Sequence, residues 1–470
     1  MYTAMALLIG FVGLAQVPVD STQPPEIETE TEGAFQADNA ELRAYLEEAL
    51  ERNPGLQSLH ARWLAALQRV PQARSLEDPM FRFSYFLESP GKEFQVSLGQ
   101  KFPWFGTLKL RADQAAHEAG AALARMMVER NRILLEAKLA YYDLAAQHDT
   151  VAILEAENAL QVELERLVRD RYALGLEMQD DVLRLEVERE RHHDLILSLQ
   201  QQHRALAAAL NEATGRGILD EVPPPDGMSL PAAAPAAEDV ALLIAQMHPE
   251  LRELEAMADA AEAGVGLARK TGYPEIVLET MYEQGRDPGR ASVDPSSPGR
   301  IAAYRGLTNT ALGRIPFDPA ETANTLYDLA YRDSMSTEYE WSVSVGFSLP
   351  IYRKRVRAAV EEARLNLRAV ELDREATLRR LEREAHLALF RMQDAERQYR
   401  LVLERLHPTA AQTTAIVRER YATGDEATML ADVLMATREE YTLQRMGVDL
   451  LRDWRYAAAE LEFLLGGTHY

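Results

Sequence analysis

Cysteine is missing from all 470 residues of the chain. The chain therefore forms no disulfide, thiolate metal site, iron–sulfur cluster or thiol nucleophile, and we expect no lipid anchor on an N-terminal cysteine. Aromatic residues are scarce, at 7%, which is low for a β-rich enzyme. Basic residues are outnumbered, because 51 Lys and Arg stand against 74 Asp and Glu, which leaves a net charge of −23. A surface this acidic argues against nucleic acid as a partner, since phosphate binding requires basic residues.

Sequence motifs of enzymes are absent as well. There is no Gly-x-x-x-x-Gly-Lys-Ser/Thr phosphate loop and no His-Glu-x-x-His zinc motif. The histidines, among them His192 and His193, lie between charged helix positions, and we interpret them as solvated helix surface rather than metal ligands. The carboxylate pair Asp180-Asp181 has no cleft-forming fold around it. The sequence therefore predicts no enzyme, no cofactor and no bound metal.

The first residues have the character of an export signal. An apolar segment of twelve residues, 4–15, ends with the small residues Gly13 and Ala15 at a plausible cleavage site. It is too short to cross a bilayer as a helix, which takes about 20 apolar residues. No Lys or Arg occurs before Arg43, which is unusual for a signal peptide. We interpret 1–19 as a signal peptide and the acidic segment 20–40 as a linker; the alternative is a disordered apolar start.

The rest of the chain contains an internal duplication. Short motifs of the first half recur in the same order in the second half, at offsets that change by only one insertion and single residues. The clearest pairs are Asn53-Pro54-Gly55-Leu56 with His248-Pro249-Glu250-Leu251, Glu136-Ala137 with Glu384-Ala385, and Arg171-Tyr172-Ala173-x-Gly175 with Arg420-Tyr421-Ala422-x-Gly424. The pattern predicts two structural repeats, 41–220 and 238–470, joined by a Pro/Ala-rich linker at 221–237.

Each repeat is predicted to be a helix, two short strands and a long helical hairpin, which makes the fold mainly α with a small β part. Apolar residues alternate with polar or small ones in the strands and recur every three or four residues in the hairpins. The predicted strands are 80–87, 94–102, 275–283 and 341–349, and the predicted hairpins are 106–212 and 351–466. The segment between the last two strands, 284–340, is a long Pro- and Gly-rich loop.

The predicted strand lengths indicate a membrane-spanning sheet, and the predicted helix length indicates that the helices extend well beyond the membrane. An unbroken helix over 108–172 would be about 95 Å long at 1.5 Å per residue. Strands of 8–10 residues cross a bilayer when they are tilted, and their alternation is that of an outer-membrane barrel. Four strands cannot close, and hydrocarbon does not tolerate an open sheet edge, so three chains would be needed to give twelve strands. The alternative is two soluble hairpins that pack their apolar faces together.

Several motifs resemble those of the TolC-type outer-membrane efflux proteins. They are the Asn53-Pro54-x-Leu56 opening, the segment 100–106 (QKFPWFG), which is similar to the heavy-metal branch, and the Tyr-x-x-Gly turns at Tyr172–Gly175 and Tyr421–Gly424. The resemblance implies a homotrimer with a 12-stranded outer-membrane barrel and a hollow cylinder of coiled-coil helices across the periplasm. It also implies docking to a periplasmic adaptor and an inner-membrane pump, with the resistance-nodulation-division type favoured.

The resemblance also implies where the functional residues lie. In this family, acidic residues just past the second hairpin turn close the periplasmic end. Asp432 matches with a one-residue insertion, and Asp180 and Asp181 occupy the comparable region of the first repeat, so these three are the gate candidates. Arg438 is expected to offset the charge of Asp432. The turn residues Tyr172, Gly175, Tyr421 and Gly424 are the candidates for adaptor contact. The alternative for the acids is an ordinary preference for carboxylates at helix starts.

The sequence thus predicts an outer-membrane channel that serves as the passive exit duct of a tripartite efflux system for metal ions or drugs, with a periplasmic helical domain. The alternative is a soluble periplasmic coiled-coil adaptor or scaffold. An adaptor would carry a lipoyl-like or β-barrel domain between its helical arms, and the sequence contains none.

Overall fold

A computed structural model describes residues 40–87, 92–225, 228, 237–287, 336–425 and 427–467. The predicted signal peptide 1–19, the linker 20–40 except its last residue, and most of the 221–237 linker lie outside the described residues. So does most of the predicted loop 284–340, of which 288–335 are not described.

The described residues form ten α-helices, one π-helical segment and four strands, so the expectation of a mainly helical fold with a small antiparallel sheet is confirmed. The elements of the first half are α1 (Ala40–Arg52), α2 (Pro54–Leu67), α3 (Arg69–Arg74), β1 (Met80–Tyr85), β2 (Phe94–Phe102), α4 (Thr107–Ala173) and α5 (Gln179–Thr214). Those of the second half are α6 (Ala237–Met247), α7 (Pro249–Lys270), β3 (Ile276–Asp287), β4 (Ser336–Phe347), α8 (Arg353–Leu401), a π-helical segment (Val402–Leu406), α9 (His407–Thr423) and α10 (Leu430–Leu464).

The long helix α4 contains 67 residues and no proline. Many of its buried positions are alanine or leucine at helical spacing, such as Ala115, Ala119, Ala137 and Leu144. Small side chains at this spacing form a narrow apolar stripe along which another helix can pack closely. In the second half, α8 is followed by the π-helical segment, and Pro408 lies at the start of α9. Because proline has no N–H to donate, it interrupts the pattern of helical backbone hydrogen bonds to the preceding turn.

Some boundaries differ from the predicted ones. The single helix predicted before the strands of the first repeat is divided into α2 and α3. Pro71 lies two residues into α3, where an uninterrupted helix would require an N–H. Strands β3 and β4 have 12 residues each and extend into the segment predicted as the 284–340 loop. Stacking of the Tyr282 and Tyr339 rings, whose centroids are 6.2 Å apart, continues the cross-strand packing there.

The sheet is antiparallel in the order β1-β2-β3-β4, so β1 and β4 are its edges. Its register aligns the alternating residues of all four strands, which gives the sheet two faces of different character. One face carries Phe81, Phe83, Tyr85, Phe94, Val96, Leu98, Ile276, Leu278, Tyr282, Trp341, Val343, Val345 and Phe347. The opposite face carries Arg82, Ser84, Gln95, Ser97, Lys101, Glu279, Glu283, Ser342 and Ser344. The apolar face is exposed at both edges of the sheet.

The described residues group into two compact units. The sheet unit comprises Gly55–Glu129 and the described part of Pro249–Arg380, which includes the four strands. The hairpin unit comprises the remaining described residues, up to Pro54, from Arg130 to His248 and from Leu381 onward. Within the hairpin unit, one apolar core surrounds Leu46, Tyr141 and Leu210, and a second one surrounds Val168, Leu185 and Tyr421.

The opening motifs of the two repeats play the same structural role. Gly215 ends α5 with φ of +73°, and a Cβ there would lie 2.7 Å from the Arg52 carbonyl oxygen. Gly466 follows α10 with φ of +92°, and a Cβ there would lie 2.9 Å from the Met247 carbonyl oxygen. Both positions combine a left-handed backbone with a close approach to another chain segment, so only glycine fits. The C-terminal ends of α5 and α10 therefore pack closely against the residues that precede Pro54 and Pro249, respectively.

Candidate functional site

Two tight turns reverse the chain at the tips of the helical hairpins. Gly175 has φ of +74° and Gly424 has φ of +83°, and neither has a neighbour within 4 Å of an added Cβ. In the first turn the Leu176 N–H donates to the Arg171 carbonyl, and in the second the Asp425 N–H donates to the Arg420 carbonyl. These six-residue bonds are those of a Schellman motif, which ends a helix at a left-handed glycine. The duplicated motif thus forms duplicated turns.

The two hairpins are joined just behind these turns by Arg171, Glu177 and Tyr421. The Arg171 Nε donates to Glu177 Oε1 at 3.0 Å, and the Tyr421 hydroxyl donates to the same oxygen at 2.7 Å. The Arg171 Nη1 also donates to the Tyr421 carbonyl at 2.9 Å, and its guanidinium lies over the Tyr421 ring at 4.6 Å. We call this group of three side chains the tip clasp. It holds the end of α9 to the turn between α4 and α5.

The tip clasp is shielded from water, which strengthens its polar contacts. Tyr421 is 1% exposed and packs against Leu164, Val168 and Leu430. Burial, followed by the hydrogen bond to Glu177, raises the pKa of the Tyr421 phenol well above its usual range. The phenol therefore stays protonated and remains a donor at physiological pH. The sequence identifies Tyr421 only as a residue of the turn motif, and it does not reveal which residues Tyr421 contacts.

The three gate candidates lie in the first turns of the two returning helices. Asp180 pairs with Arg184 at 3.4 Å. Partial burial, the Asp180 charge and then the Glu177 charge raise the pKa of the Asp181 carboxyl above its ordinary value. Asp432 is exposed, and its Oδ2 accepts the Met429 N–H at 2.9 Å. The structure therefore gives Asp432 a local role in starting α10, which is the alternative that the sequence analysis had left open.

The expected neighbour of Asp432 has a different partner. Arg438 forms its ion pair with Glu188 of α5 at 2.5 Å, and so it connects the two returning helices. Within the single chain Arg438 therefore does not pair with Asp432, and its offsetting of the Asp432 charges around a trimer axis stays a prediction. Glu188 could not have been identified from the sequence, because it is 250 residues away from Arg438.

Several apolar side chains are exposed around the two turns, although the chain as a whole is highly charged. Among the adaptor candidates, Tyr172 is exposed whereas Tyr421 is buried. Other exposed side chains at the two tips are Leu174, Leu176, Met178, Met429 and Met435. An open pocket of about 360 Å³ lies next to Tyr421 and is lined by Glu163, Arg418 and Glu419 among others. Exposed Leu and Met side chains grouped in this way are typical of a binding surface, and here charged residues such as Asp170, Asp180 and Asp425 lie among them.

His192 lies inside the hairpin unit and not on its solvated surface. Its Nε2 is 3.0 Å from Glu157 Oε2, and its Nδ1 is 3.1 Å from Gln161 Nε2. Glu157 and Gln161 are each 3% exposed. The interpretation of His192 as solvated helix surface is therefore wrong. The charged neighbours in the sequence suggested an exposed position. In α5, however, His192 faces α4, whereas the adjacent His193 is exposed.

We expect the stability of the hairpin unit to depend on pH through His192. The ion contact with Glu157 raises the pKa of His192 above its ordinary value of about 6.5. Its contribution is fully present below that value and is lost as the pH rises through the raised folded-state pKa. Thermal unfolding between pH 5.5 and 8.5 should therefore show falling stability for the wild type across this range. His192→Gln should flatten the dependence, whereas His193→Gln, the exposed control, should leave it unchanged; equal profiles for all three proteins would contradict the expectation.

The described residues contain no cluster of three or more His, Asp or Glu side chains that could hold a metal ion. In the same part of the chain, none of the helices is both long and apolar enough to cross a membrane.

The fold is that of known outer-membrane channels. The outer-membrane channel OprN superposes with a TM-score of 0.70 at 17% identity, covering 92% of this chain and 91% of OprN. The outer membrane protein VceC from Vibrio cholerae gives 0.69 at 19% identity over 91% of this chain and 97% of VceC. CusC, whose structures concern folding and transmembrane channel formation, gives 0.69 at 16% identity over 90% and 91% of the two chains.

The sequence itself carries the signature of one family. Residues 242–467 match the family described as outer membrane efflux protein. A comparison with curated proteins finds no match. This match confirms the resemblance derived from the motifs, and it covers most of the predicted second repeat.

Proposed function

We propose that the protein is an outer-membrane efflux channel whose sheet crosses the membrane and whose helical hairpins stand in the periplasm. The observation that carries this proposal is the mostly apolar face of the sheet, on which Gln100, Thr280 and Gln284 are polar exceptions. Val343 is 70% exposed, Phe81 63% and Phe83 58%, although all three are large apolar side chains. A water-soluble protein would cover such a face, whereas hydrocarbon solvates it. The fold and the family match support the same conclusion.

The channel is proposed to be a homotrimer. The two edge strands, β1 and β4, have no partner on their outer sides among the described residues. In a bilayer these unpaired N–H and C=O groups would be very costly, because no water is present to bond them. Pairing β1 of one chain with β4 of the next removes all edges, and three chains supply twelve strands, enough for a barrel with a channel or plugged interior.

The periplasmic end is proposed to receive cargo from an adaptor and an inner-membrane pump of the resistance-nodulation-division type. The exposed Tyr172 and the neighbouring Leu and Met side chains give the tips an apolar surface suited to docking the adaptor. Gly175 and Gly424 make the turns narrow enough to present that surface. Transport through the duct is passive, with energy supplied by the pump, and the cargo is metal ions or drugs.

The mouth at the tips is proposed to be closed by the tip clasp within each chain and by carboxylates around the trimer axis. Asp181, Asp180 and Asp432 all lie within one helical turn of the tips. Partial burial, and after it the nearby charges of Asp180 and Glu177, raise the pKa of the Asp181 carboxyl. Copies from three chains would form a negative ring that attracts cations and repels itself when it narrows.

Reconstitution and mass measurement test this function directly. The purified full chain should insert into vesicles, give single-channel conductance in planar bilayers and be recovered as three chains after crosslinking. The soluble periplasmic adaptor or scaffold predicts the reverse. Recovery in the soluble fraction without detergent, or a stable monomer or dimer in the membrane, would refute the channel.

A further inference from the structure

The chain segments that connect the strands to the helical hairpins all lie at one end of the sheet. The register aligns Phe102 at the end of β2, Ile276 at the start of β3 and Phe347 at the end of β4 in one row. Beyond this row the chain passes from β2 into α4 and from β4 into α8 within six residues. All of these segments belong to the sheet unit.

Four cations stand together at this end. Arg353, Lys354, Arg355 and Arg357 occupy five consecutive positions and are all exposed. Among the described residues, no carboxylate lies within 4 Å of these four side chains. They make no side-chain hydrogen bond there either. Exposed cations without a carboxylate partner also occur elsewhere among the described residues, but here four of them lie within five positions of a chain whose net charge is −23.

Several basic residues further along the same helix show the contrast. Arg364, Arg368 and Arg379 each pair with a glutamate three or four positions away, at 3.6, 3.0 and 2.5 Å. Ion pairing along the helix is thus the common arrangement in α8, and it stops at the end that faces the sheet. Four unpaired like charges repel each other, and an external anion would relieve that repulsion.

Apolar and aromatic side chains adjoin the basic cluster. Leu349 is 75% exposed, and Ile351 and Tyr352 are 71% exposed, immediately before Arg353. Trp104 stacks on Tyr273 at 5.4 Å, and Phe105 beside it is 77% exposed. The two segments lie close together, because a Cβ added to Gly272, next to Tyr273, would be 3.1 Å from Cγ1 of Val356 in the basic segment.

We infer that this end of the sheet binds the headgroups of anionic phospholipids in the leaflet that faces the periplasm. The inference rests on the proposed insertion of the sheet in the outer membrane. Aromatic rings at the end of a membrane strand lie at the level of the headgroups, and basic side chains beside them bind lipid phosphate with charge-assisted hydrogen bonds. Leu349, Ile351 and Tyr352 reach the acyl chains while the four cations meet the phosphates.

The test is the binding of phosphatidylglycerol and phosphatidylcholine to the purified full chain in detergent, measured by native mass spectrometry. Each cation near an anionic lipid contributes about fivefold to affinity, so the wild type should prefer phosphatidylglycerol by at least about tenfold. Changing Arg353, Lys354, Arg355 and Arg357 to Gln should abolish this preference. Changing the three arginines of the cluster to Lys keeps the charge and should retain it.

The matched control removes four exposed cations elsewhere that also lack a carboxylate within 4 Å among the described residues. They are Arg62, Arg166, Arg204 and Arg405, each replaced by Gln. The control should keep the lipid preference although its net charge equals that of the cluster variant. Equal binding of both lipids by the wild type, or loss of preference in both variants, overturns the inference. Failure of the wild type to insert into vesicles would instead refute the channel itself, which separates the two outcomes.

Discussion

Replacing Val343 with arginine is expected to destabilise the folded protein in a bilayer by about 2–4 kcal/mol. Val343 lies on the apolar face of β4 between Trp341 and Val345, and it is paired with Thr280 of β3. If this face meets hydrocarbon, the guanidinium must lose its water or deform the bilayer around it. The measurement is urea unfolding of the protein in lipid vesicles, with the fraction folded followed by resistance to protease.

The matched control lies one residue away. Ser344 is on the opposite face, paired with Glu279, where the proposed barrel has its aqueous interior. Ser344→Arg should therefore cost much less than Val343→Arg, because the new charge stays in water beside a carboxylate. If the two variants lose equal stability, the apolar face does not meet lipid and the barrel is wrong.

Removing the shared acceptor of the tip clasp should open the periplasmic end. Glu177 Oε1 accepts from both Arg171 and Tyr421, and the three groups are mostly shielded from water. Glu177→Ala leaves a buried phenol and a guanidinium without this acceptor, which costs about 1–3 kcal/mol. That corresponds to about 5–150-fold in an equilibrium between closed and open tips. Single-channel conductance in planar bilayers should rise accordingly, with more time spent in open states.

Two further variants make the result specific. Glu177→Gln keeps an oxygen acceptor in the same place and should restore much of the closed behaviour. Asp170→Asn removes an exposed carboxylate in the last turns of α4 and should leave conductance unchanged. A Glu177→Ala channel with wild-type conductance would mean that the tip clasp does not hold the mouth closed.

Local pattern was sufficient to predict the sheet and the turns. The period-two alternation in the strands is a property of each strand alone, so it predicted which side chains share a face before the register was known. Gly175 and Gly424 were likewise recognisable, because only glycine adopts a left-handed helix end at little cost.

Contacts between distant segments were beyond such reasoning. Arg171 and Glu177 are close in sequence, but Tyr421 lies 250 residues from Arg171, and only the packing of two hairpins brings it there. The same holds for Arg438 and Glu188, and for the side of α5 on which His192 lies. A charged neighbourhood in the sequence does not reveal which face of a long helix is covered by another helix. Asp432 remains a proposed gate residue, with a carboxylate that also starts its own helix.

The π-helical segment Val402–Leu406 preserves a trace of how the two repeats diverged in length. Glu384, which precedes it, lies 248 residues after its counterpart Glu136, whereas Arg420, which follows it, lies 249 residues after its counterpart Arg171. A π-helical turn bonds residue i to i+5 and so absorbs one additional residue. In a regular helix that residue would rotate every later side chain by about 100° around the axis. Confined to five residues, the insertion leaves Tyr421 on the side that meets Arg171, so the hairpin grew by one residue without losing its partner.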